Sequence, residues 1–343
     1  MKLALLTGGG DCPGLNAAIR AVVRAADKRK MRVEGITEGW KGLLNGQSIP
    51  LPPEKMSGLL PLGGTILGSS RMNPLKIKGG VARAAKFFRR KKYAGLIAIG
   101  GEGTLKVAAA FSKAGLPVVC IPKTIDNDTW GTEASIGFDT AVQVATDAID
   151  RLQTTAESHR RVMIVEVMGR HAGWIATCAG IAGGADAVLI PEEPFKMTEL
   201  KRILHARARR KKHFSIFVVS EDAKIILENG KMLRTPLHHD EYGDVKLGGI
   251  GELLASALRK RTDSEVRVTV LGHVQRGGTP TAFDRILATR LGVHAVELVA
   301  KKQFGRMVSF QGNRILSIPI LQAAGKLKTV DPEFSRVAKV FFG

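Results

Sequence analysis

An α/β fold is what the sequence predicts: two domains, each a mainly parallel sheet flanked by helices. Three observations predict it. Short apolar runs alternate with amphipathic stretches, the pattern of βαβ units. Glycine- or proline-bounded turns separate the two kinds of segment. The chain has 343 residues, and at about 100–200 residues per domain that is room for two. Hydrophobic residues make up 44% and charged residues 24%, an ordinary globular balance that argues against wholesale disorder.

The elements follow in order. Residues 2–6 read as a strand, then a glycine turn and a helix over about 15–28. Residues 95–99 read as a buried strand, followed by Gly100-Gly101 and a helix over about 104–114. Residues 118–121, after Pro117, repeat the theme. Further strands are expected at 162–167, 187–190, 214–219 and 266–271. The polar stretch over 223–246, with Asn229-Gly230 and Pro236, reads as a hairpin or surface excursion. In parallel sheets ligands sit at the carboxyl ends of strands, and the glycine-rich motifs fall there.

The formal net charge is +21. It fits nucleic acid, an acidic membrane surface or a polyanionic small substrate. Basic clusters at 28–30, 89–92, 207–212 and 301–302 lie at expected helix ends, where cations complement the helix dipole. They carry no interleaved aromatics, which counts against a single-strand groove. No apolar run reaches the ~18 residues of a membrane span. The apolar start before Thr7 is too short for a signal-peptide core. Cys12, Cys120 and Cys178 are scattered, so no disulfide framework is expected and a reducing cytosol is the default. His238, His239, Asp240 and Glu241 form a polar cluster, but adjacent residues do not present a tetrahedral metal set.

Five motifs carry chemistry. Gly8-Gly9-Gly10-Asp11-Cys12-Pro13-Gly14 follows a strand and opens a helix. Its glycines would let backbone approach a phosphate at a helix N-terminus, although it fits neither a Walker loop nor G-x-G-x-x-G, and a purely structural turn is the alternative. Gly100-Gly101-Glu102-Gly103-Thr104 repeats the setting with an acid inside. A carboxylate there repels phosphate unless a cation intervenes, so Glu102 suggests Mg²⁺; a helix-start carboxylate is the alternative. In Pro122-Lys123-Thr124-Ile125-Asp126-Asn127-Asp128, an extended chain would put Thr124, Asp126 and Asp128 on one side. Two carboxylates and a lysine suit phosphate handling and proton abstraction from an alcohol, while an Asx turn would be purely structural. Arg170, in Val167-Met168-Gly169-Arg170, can reach a phosphate or developing charge. His273 and Arg276, in Gly272-His273-Val274-Gln275-Arg276-Gly277-Gly278, lie just past a strand, placed to bind an anion.

Taken together, GGGDCPGLNAAIR, GGTILGSSR, GGEGT, PKTIDND, VMGRHAGW and LGHVQRGGTPTAFDR, in that order, resemble the ATP- or pyrophosphate-dependent 6-phosphofructokinase family along essentially the whole chain. The resemblance implies a phosphofructokinase-like two-domain fold. Residues 1–137 with 275–328 would bind the phosphoryl donor, and 138–274 with 329–343 the sugar phosphate. It implies a glycolytic cytoplasmic kinase that phosphorylates the 1-hydroxyl of fructose 6-phosphate using Mg²⁺. A homo-oligomer, dimer or tetramer, with active sites near subunit boundaries is implied too, with neither a membrane nor a specific nucleic acid as partner.

By matching position, the resemblance assigns Gly10, Arg71, Met72, Gly101, Glu102, Gly103 and Thr104 to the donor, with Glu102 at the metal where the family usually has Asp. Thr124, Asp126 and Asp128 match the catalytic segment, with Asp126 as base and Arg71 and Arg170 stabilising charge. Thr124, Ile125, Asp126, Met168, Gly169, Arg170, Glu221, His273, Val274, Gln275 and Arg276 match the sugar-phosphate site. Arg161 and Arg267 match arginines that the family donates across a subunit interface. Gly103 and Lys123 bear on the donor. Pyrophosphate users carry Asp at 103, where the ATP α-phosphate would lie, so Gly103 favours ATP; Lys123 is the pyrophosphate-type residue. Arg20 and Arg24 match effector-site cations, Asp186 is a shorter acid and Gln153 replaces an arginine, so effector control is expected to be weakened or different.

Rival classes fit the motif set less well. GGEGT is close to the loop of lipid and NAD kinases, but PKTIDND, VMGR and GHVQRGG argue against them; a related sugar such as sedoheptulose 7-phosphate is not excluded; and a basic nucleic-acid-binding protein would use the charge but leave the carboxylate set unexplained. A catalytically dead regulatory subunit would not need Asp126, Asp128, Arg71 and Arg170.

Overall fold

A computed structural model describes residues 1–235, 238–239 and 245–342. The backbone divides into two compact units. The first comprises Met1–Ile125, Thr129–Thr140 and Arg276–Lys328; the second comprises Asp126–Asp128, Ala141–Gln275 and Thr329–Gly343.

The first unit begins β1 (Lys2–Thr7), α1 (Leu15–Asp27), β2 (Arg32–Ile36), α2 (Trp40–Asn45) and β3 (Ser48–Pro50). It continues α3 (Gly80–Arg90), β4 (Gly95–Gly100), α4 (Glu102–Lys113) and β5 (Val118–Pro122). The helix α5 (Phe138–His159) starts in the first unit and runs on in the second. The second unit holds β6 (Val162–Val167), α6 (Trp174–Ala182), β7 (Ala187–Leu189), β8 (Phe195–Lys196), α7 (Met197–Arg209) and β9 (Ser215–Ser220). Short strands β10 (Ile225–Ile226), β11 (Met232–Leu233), β12 (His238–His239) and β13 (Val245–Lys246) precede α8 (Ile250–Arg259) and β14 (Val266–Val270). The chain then returns to the first unit with α9 (Ala282–Ala300), β15 (Arg306–Gln311), β16 (Arg314–Pro319) and α10 (Ile320–Ala323), and ends in the second with α11 (Pro332–Val340).

The first sheet has seven strands in the order β16-β15-β5-β4-β1-β2-β3. Its inner pairs are parallel, and β3 and β16 close the two edges antiparallel. The parallel strands β1, β4 and β5 are apolar and buried, as strands covered on both faces must be. One face packs Trp40, Phe87, Phe88, Phe111 and Ile320 from α2, α3, α4 and α10 against Leu6, Ile36 and Leu96. Each fully buried side chain of this size contributes about 1.5–3 kcal/mol. Ala18 and Ala21 of α1 meet Gly292 of α9 so closely that a methyl on Gly292 would stand 2.8 Å from the Ala21 side chain. The second sheet runs β14-β6-β9-β7, all parallel, with Leu200 and Ile203 of α7 and Leu254 and Leu258 of α8 in its core.

The α/β class is therefore the one the alternation predicted. Sequence patterning passes over β2, whose five residues include Glu34 and Gly35, and over the hairpin of β15 and β16. The excursion after Ala223 does contain a hairpin: β10 and β11 pair antiparallel across a turn in which Gly230 has φ 77°. Asp240 and Glu241 lie outside the described residues, as do the side chains of His238 and His239. Among the described residues no helix is long and apolar enough to cross a membrane.

The basic clusters do sit at helix ends, in a specific way. Seven helices among the described residues close with paired bonds from the two residues past the last turn to carbonyls three and five residues back. This is the Schellman closure, whose left-handed residue is usually glycine. Helices α4 and α6 use Gly115 and Gly184. Helices α1, α3, α5, α7 and α9 use Lys30, Lys92, Arg160, Lys211 and Lys302, with φ between 54° and 60°. A side chain in that conformation costs about 1 kcal/mol relative to glycine.

Candidate active site

In the first unit, three strands deliver their loops to one end of the sheet. The Gly8-Gly9-Gly10 loop leaves β1 and is held from several sides. The Gly8 N–H donates to the Ile99 carbonyl at 2.9 Å, the Gly9 N–H to the Ser70 carbonyl at 3.3 Å, and the Ser69 hydroxyl to the Gly9 carbonyl. From β5, the buried Lys123 ammonium donates to the carbonyl of Gly8 at 3.0 Å and to that of Gly10. Arg276 donates from Nη1 to the Asp11 carbonyl at 3.2 Å. A Cβ at residue 10 would stand 2.6 Å from Arg276 Nη1, so a side chain there would push the guanidinium aside. Cys12, inside the same turn, is fully buried; burial pushes its thiol up to about 12, so it stays protonated and serves as packing.

Gly101 precedes α4, and Glu102 and Gly103 are its first two residues, where free N–H groups face out. Nothing lies within 4 Å of the position a Cβ on Gly103 would take. The Glu102 carboxylate, 43% exposed, pairs with Lys106 at 2.5 Å. Thr104 is buried, its hydroxyl packed beneath Gly8 and Gly100. Arg71 is exposed and directly follows Ser70, which braces Gly9; Met72 is half-buried and packs on the core. Thr124 lies at the end of β5, its carbonyl accepting from the Ser135 hydroxyl at 2.7 Å, and the Ile125 side chain is buried.

In the segment after Lys123 the structure takes the turn rather than the extended alternative. Residues 125 and 126 form a turn, and Asn127 is left-handed with φ 51°. Thr124, Asp126 and Asp128 therefore do not line one side of a strand. The side chain of Asn127 tolerates this conformation. Asp126 is buried in the second unit.

Also in the second unit, Gly169 and Arg170 turn off the end of β6 with φ 151° and 51°. Glu221, after β9, holds that turn by accepting the N–H groups of Gly169 at 3.2 Å and Arg170 at 2.9 Å. Burial raises the Glu221 carboxyl pKa, and the nearby Asp126 charge adds to this against the bonds from Arg170 and Gly169. Met168 is half-buried and the Arg170 side chain is exposed. The loop after β14 joins this end, since the Leu271 N–H donates to the Glu166 carbonyl at 3.0 Å. His273 and Val274 are exposed there, whereas Gln275 is buried with its amide donating to the Gly272 carbonyl at 3.1 Å.

Arg161 and Arg267 are brought together, but elsewhere. Both bind the Glu265 carboxylate, and hydrogen bonding from Arg161 holds that carboxyl below its usual range. They sit at the starts of β6 and β14. The six residues of β6 span about 20 Å, so the arginines lie at the opposite end of this unit's sheet from Met168, Gly169 and Arg170.

Sequence reasoning missed Glu265, Glu166 and Ser69. Glu166 is buried within β6 and accepts the N–H groups of Gly249 and Gly251, both at 2.8 Å, where α8 begins. A lone acid inside an apolar strand was its available signal. Ser69 had none beyond its place in GGTILGSSR. Among the described residues no group of three or more His, Cys, Asp or Glu could hold a metal ion.

The family model described as phosphofructokinase matches residues 2–299. The chain is 51% identical, over the whole of both chains, to a pyrophosphate–fructose 6-phosphate 1-phosphotransferase of Streptomyces coelicolor. It is 50% identical, over 96% of each chain, to ATP-dependent 6-phosphofructokinase 3 of the same organism. Among solved structures, the T-state phosphofructokinase of Pichia pastoris superposes with a TM-score of 0.82 at 32% identity, covering 94% of this chain and 35% of that one.

Proposed function

Because the chain belongs to the phosphofructokinase family, we propose that it transfers the γ-phosphoryl group of ATP to the 1-hydroxyl of fructose 6-phosphate, giving fructose 1,6-bisphosphate in glycolysis. The observation that carries ATP as donor is the open space at Gly103. No carboxylate there opposes an α-phosphate, so a nucleotide is admitted. Lys123 is compatible with this reading, because its ammonium braces the Gly8 and Gly10 carbonyls.

In this reading the first unit binds the donor and the second the sugar phosphate. The Gly10 N–H and the start of α4 receive donor phosphates. Asp126 accepts the proton of the 1-hydroxyl as its oxygen attacks, and Asp128 and Thr124 flank it. Arg71 and Arg170 stabilise charge on the transferring group. Glu221 sets the Met168-Gly169-Arg170 turn, and His273, Val274, Gln275 and Arg276 complete the sugar-phosphate side. Positioning and electrostatics supply most of the rate in such chemistry.

Mg²⁺ fits the residues present. It is commonly held by one or two carboxylates together with substrate phosphates rather than by an all-protein cage. Glu102, half-exposed at the start of α4, is the carboxylate that would hold it. Bound there, the ion would neutralise charge on the donor phosphates. Arg161 and Arg267, remote from their own unit's Met168 turn, support a homo-oligomer, dimer or tetramer, in which they serve a neighbouring copy. A cytoplasmic location, as for a glycolytic enzyme, belongs to the same reading.

A pyrophosphate-dependent fructose 6-phosphate 1-phosphotransferase is the second reading, favoured by Lys123 and by the 51%-identical relative of that name. A panel crossing ATP and pyrophosphate with fructose 6-phosphate, sedoheptulose 7-phosphate and other sugar phosphates tests the assignment. Fructose 6-phosphate with ATP should give the highest kcat/KM; a higher value for another acceptor would overturn it.

A further inference from the structure

We propose that the amino-terminal rim of the first unit's sheet binds the phosphate backbone of duplex nucleic acid without reading its sequence. Helices α1, α3 and α9 all end on this rim. They deliver Lys28, Arg29 and Lys30, then Arg89, Arg90, Lys91 and Lys92, then Lys301 and Lys302. The three ends share an edge. Lys2 pairs with Arg32 across β1 and β2, the Arg32 N–H donates to the Met1 carbonyl, and the Ala94 N–H donates to the Lys2 carbonyl at 2.8 Å. The ends of α1 and α9 meet through Arg29 and Glu297, 3.5 Å apart.

Three acids, Asp27, Glu34 and Glu297, neighbour these cations and are outnumbered by them. Glu34 is engaged by Lys2 and Lys91, and Glu297 by Arg29. Lys28, Lys30, Arg32, Arg89, Arg90, Lys92, Lys301 and Lys302 are all exposed. Closing the helices does not require these lysines. Lys30, Lys92 and Lys302 occupy left-handed positions that glycine fills more easily, as Gly115 does after α4. Arg24, Arg89 and Arg90 already give α1 and α3 basic last turns. What sets the first unit apart is that three such ends share one edge.

The chemistry of the rim selects the partner. Of its aromatics, Phe87, Phe88 and Tyr93 are buried and Phe304 is half-buried, so no exposed stacking platform is offered to unpaired bases. Lysine ammoniums act as point charges on phosphate. A stiff, densely charged duplex backbone matches a rim that offers charge alone. The rim lies about 20 Å, one strand length, from the Gly8-Gly9-Gly10 loop, so both can act at once.

The test uses the full chain and a fluorescent 20-base-pair duplex of mixed sequence, with anisotropy titrations from about 50 to 300 mM salt. The triple variant Lys30→Gly, Lys92→Gly, Lys302→Gly removes charge at positions whose backbone favours glycine, so the fold is retained. The control Arg160→Gly, Lys211→Gly removes charge at the same kind of closure in the second unit. We expect the wild type to lose affinity with a log–log salt slope of about −4 or steeper. The triple variant should be shallower by about 2 to 3 and at least about tenfold weaker at low salt. The control should bind within about threefold of wild type, and all three proteins should phosphorylate fructose 6-phosphate equally. Absence of saturable duplex binding at low salt, or equal losses in triple variant and control, would overturn the proposal.

Discussion

Replacing Gly103 by Asp should cut the use of ATP while leaving the fold intact. Residue 103 is exposed, is the second residue of α4, and has nothing within 4 Å of the place its Cβ would occupy. The new side chain therefore meets no steric obstacle. An acid in the first helical turn is favoured by the dipole by about 0.3–1 kcal/mol, and Asp is a better helix residue than Gly. Against a donor the same charge works in reverse. Two unit charges about 5 Å apart at an effective dielectric of about 20 repel by about 3 kcal/mol. Solvent at this exposed position screens part of that, leaving about 1.5–3 kcal/mol, or roughly ten- to a hundredfold. Initial rates with varied ATP at saturating fructose 6-phosphate would read this as a fall in kcat/KM. The thermal midpoint should be unchanged or higher. An ATP kcat/KM within threefold of wild type, in a folded variant, would refute the steric and electrostatic argument for the donor.

Three further outcomes follow from the same geometry. Asp126→Ser should lower kcat by several orders of magnitude and leave the fructose 6-phosphate KM within about tenfold; a near-wild-type kcat would remove Asp126 from the base role. Glu34 has a carboxyl that burial pushes up, but hydrogen bonds from Tyr93, Lys2 and Ser48 outweigh this and hold it down at about 2. Its contribution is thus present above about pH 4.5 and lost as pH falls towards 2, so Glu34→Gln should flatten that part of the stability–pH curve by about 3 kcal/mol at most. Unchanged acid denaturation would count against the pairing. Phosphoenolpyruvate should inhibit weakly, because Asp186 is bound within its own unit to Arg207 and to the Ile216 N–H, and Gln153 donates to the Gly183 carbonyl. Strong, saturable inhibition in a rate titration would contradict this.

The parallel strands and the loops at their ends were legible because an apolar run followed by glycines is a local signal. Val162–Val167 matched residue for residue. The strand Arg32–Ile36 was not legible, since Glu34 and Gly35 break the run, and Glu34 finds its reason in Lys2, Ser48, Lys91 and Tyr93, none of them a neighbour in sequence. The site was readable as residue types, less so as geometry. Asp126 stood out as a carboxylate after a strand, but the left-handed Asn127 that turns the segment did not. Arg161 and Arg267 stood out, but their common partner Glu265 did not, because strand register joins them. The charge of +21 was visible at once, while its placement in left-handed helix closures needed backbone angles.

The phosphoryl donor is the point on which the proposed reaction turns. Turnover of fructose 6-phosphate, measured with ATP and with pyrophosphate at equal concentration and saturating Mg²⁺, decides it. The open space at Gly103 predicts faster turnover with ATP. Faster turnover with pyrophosphate would contradict it.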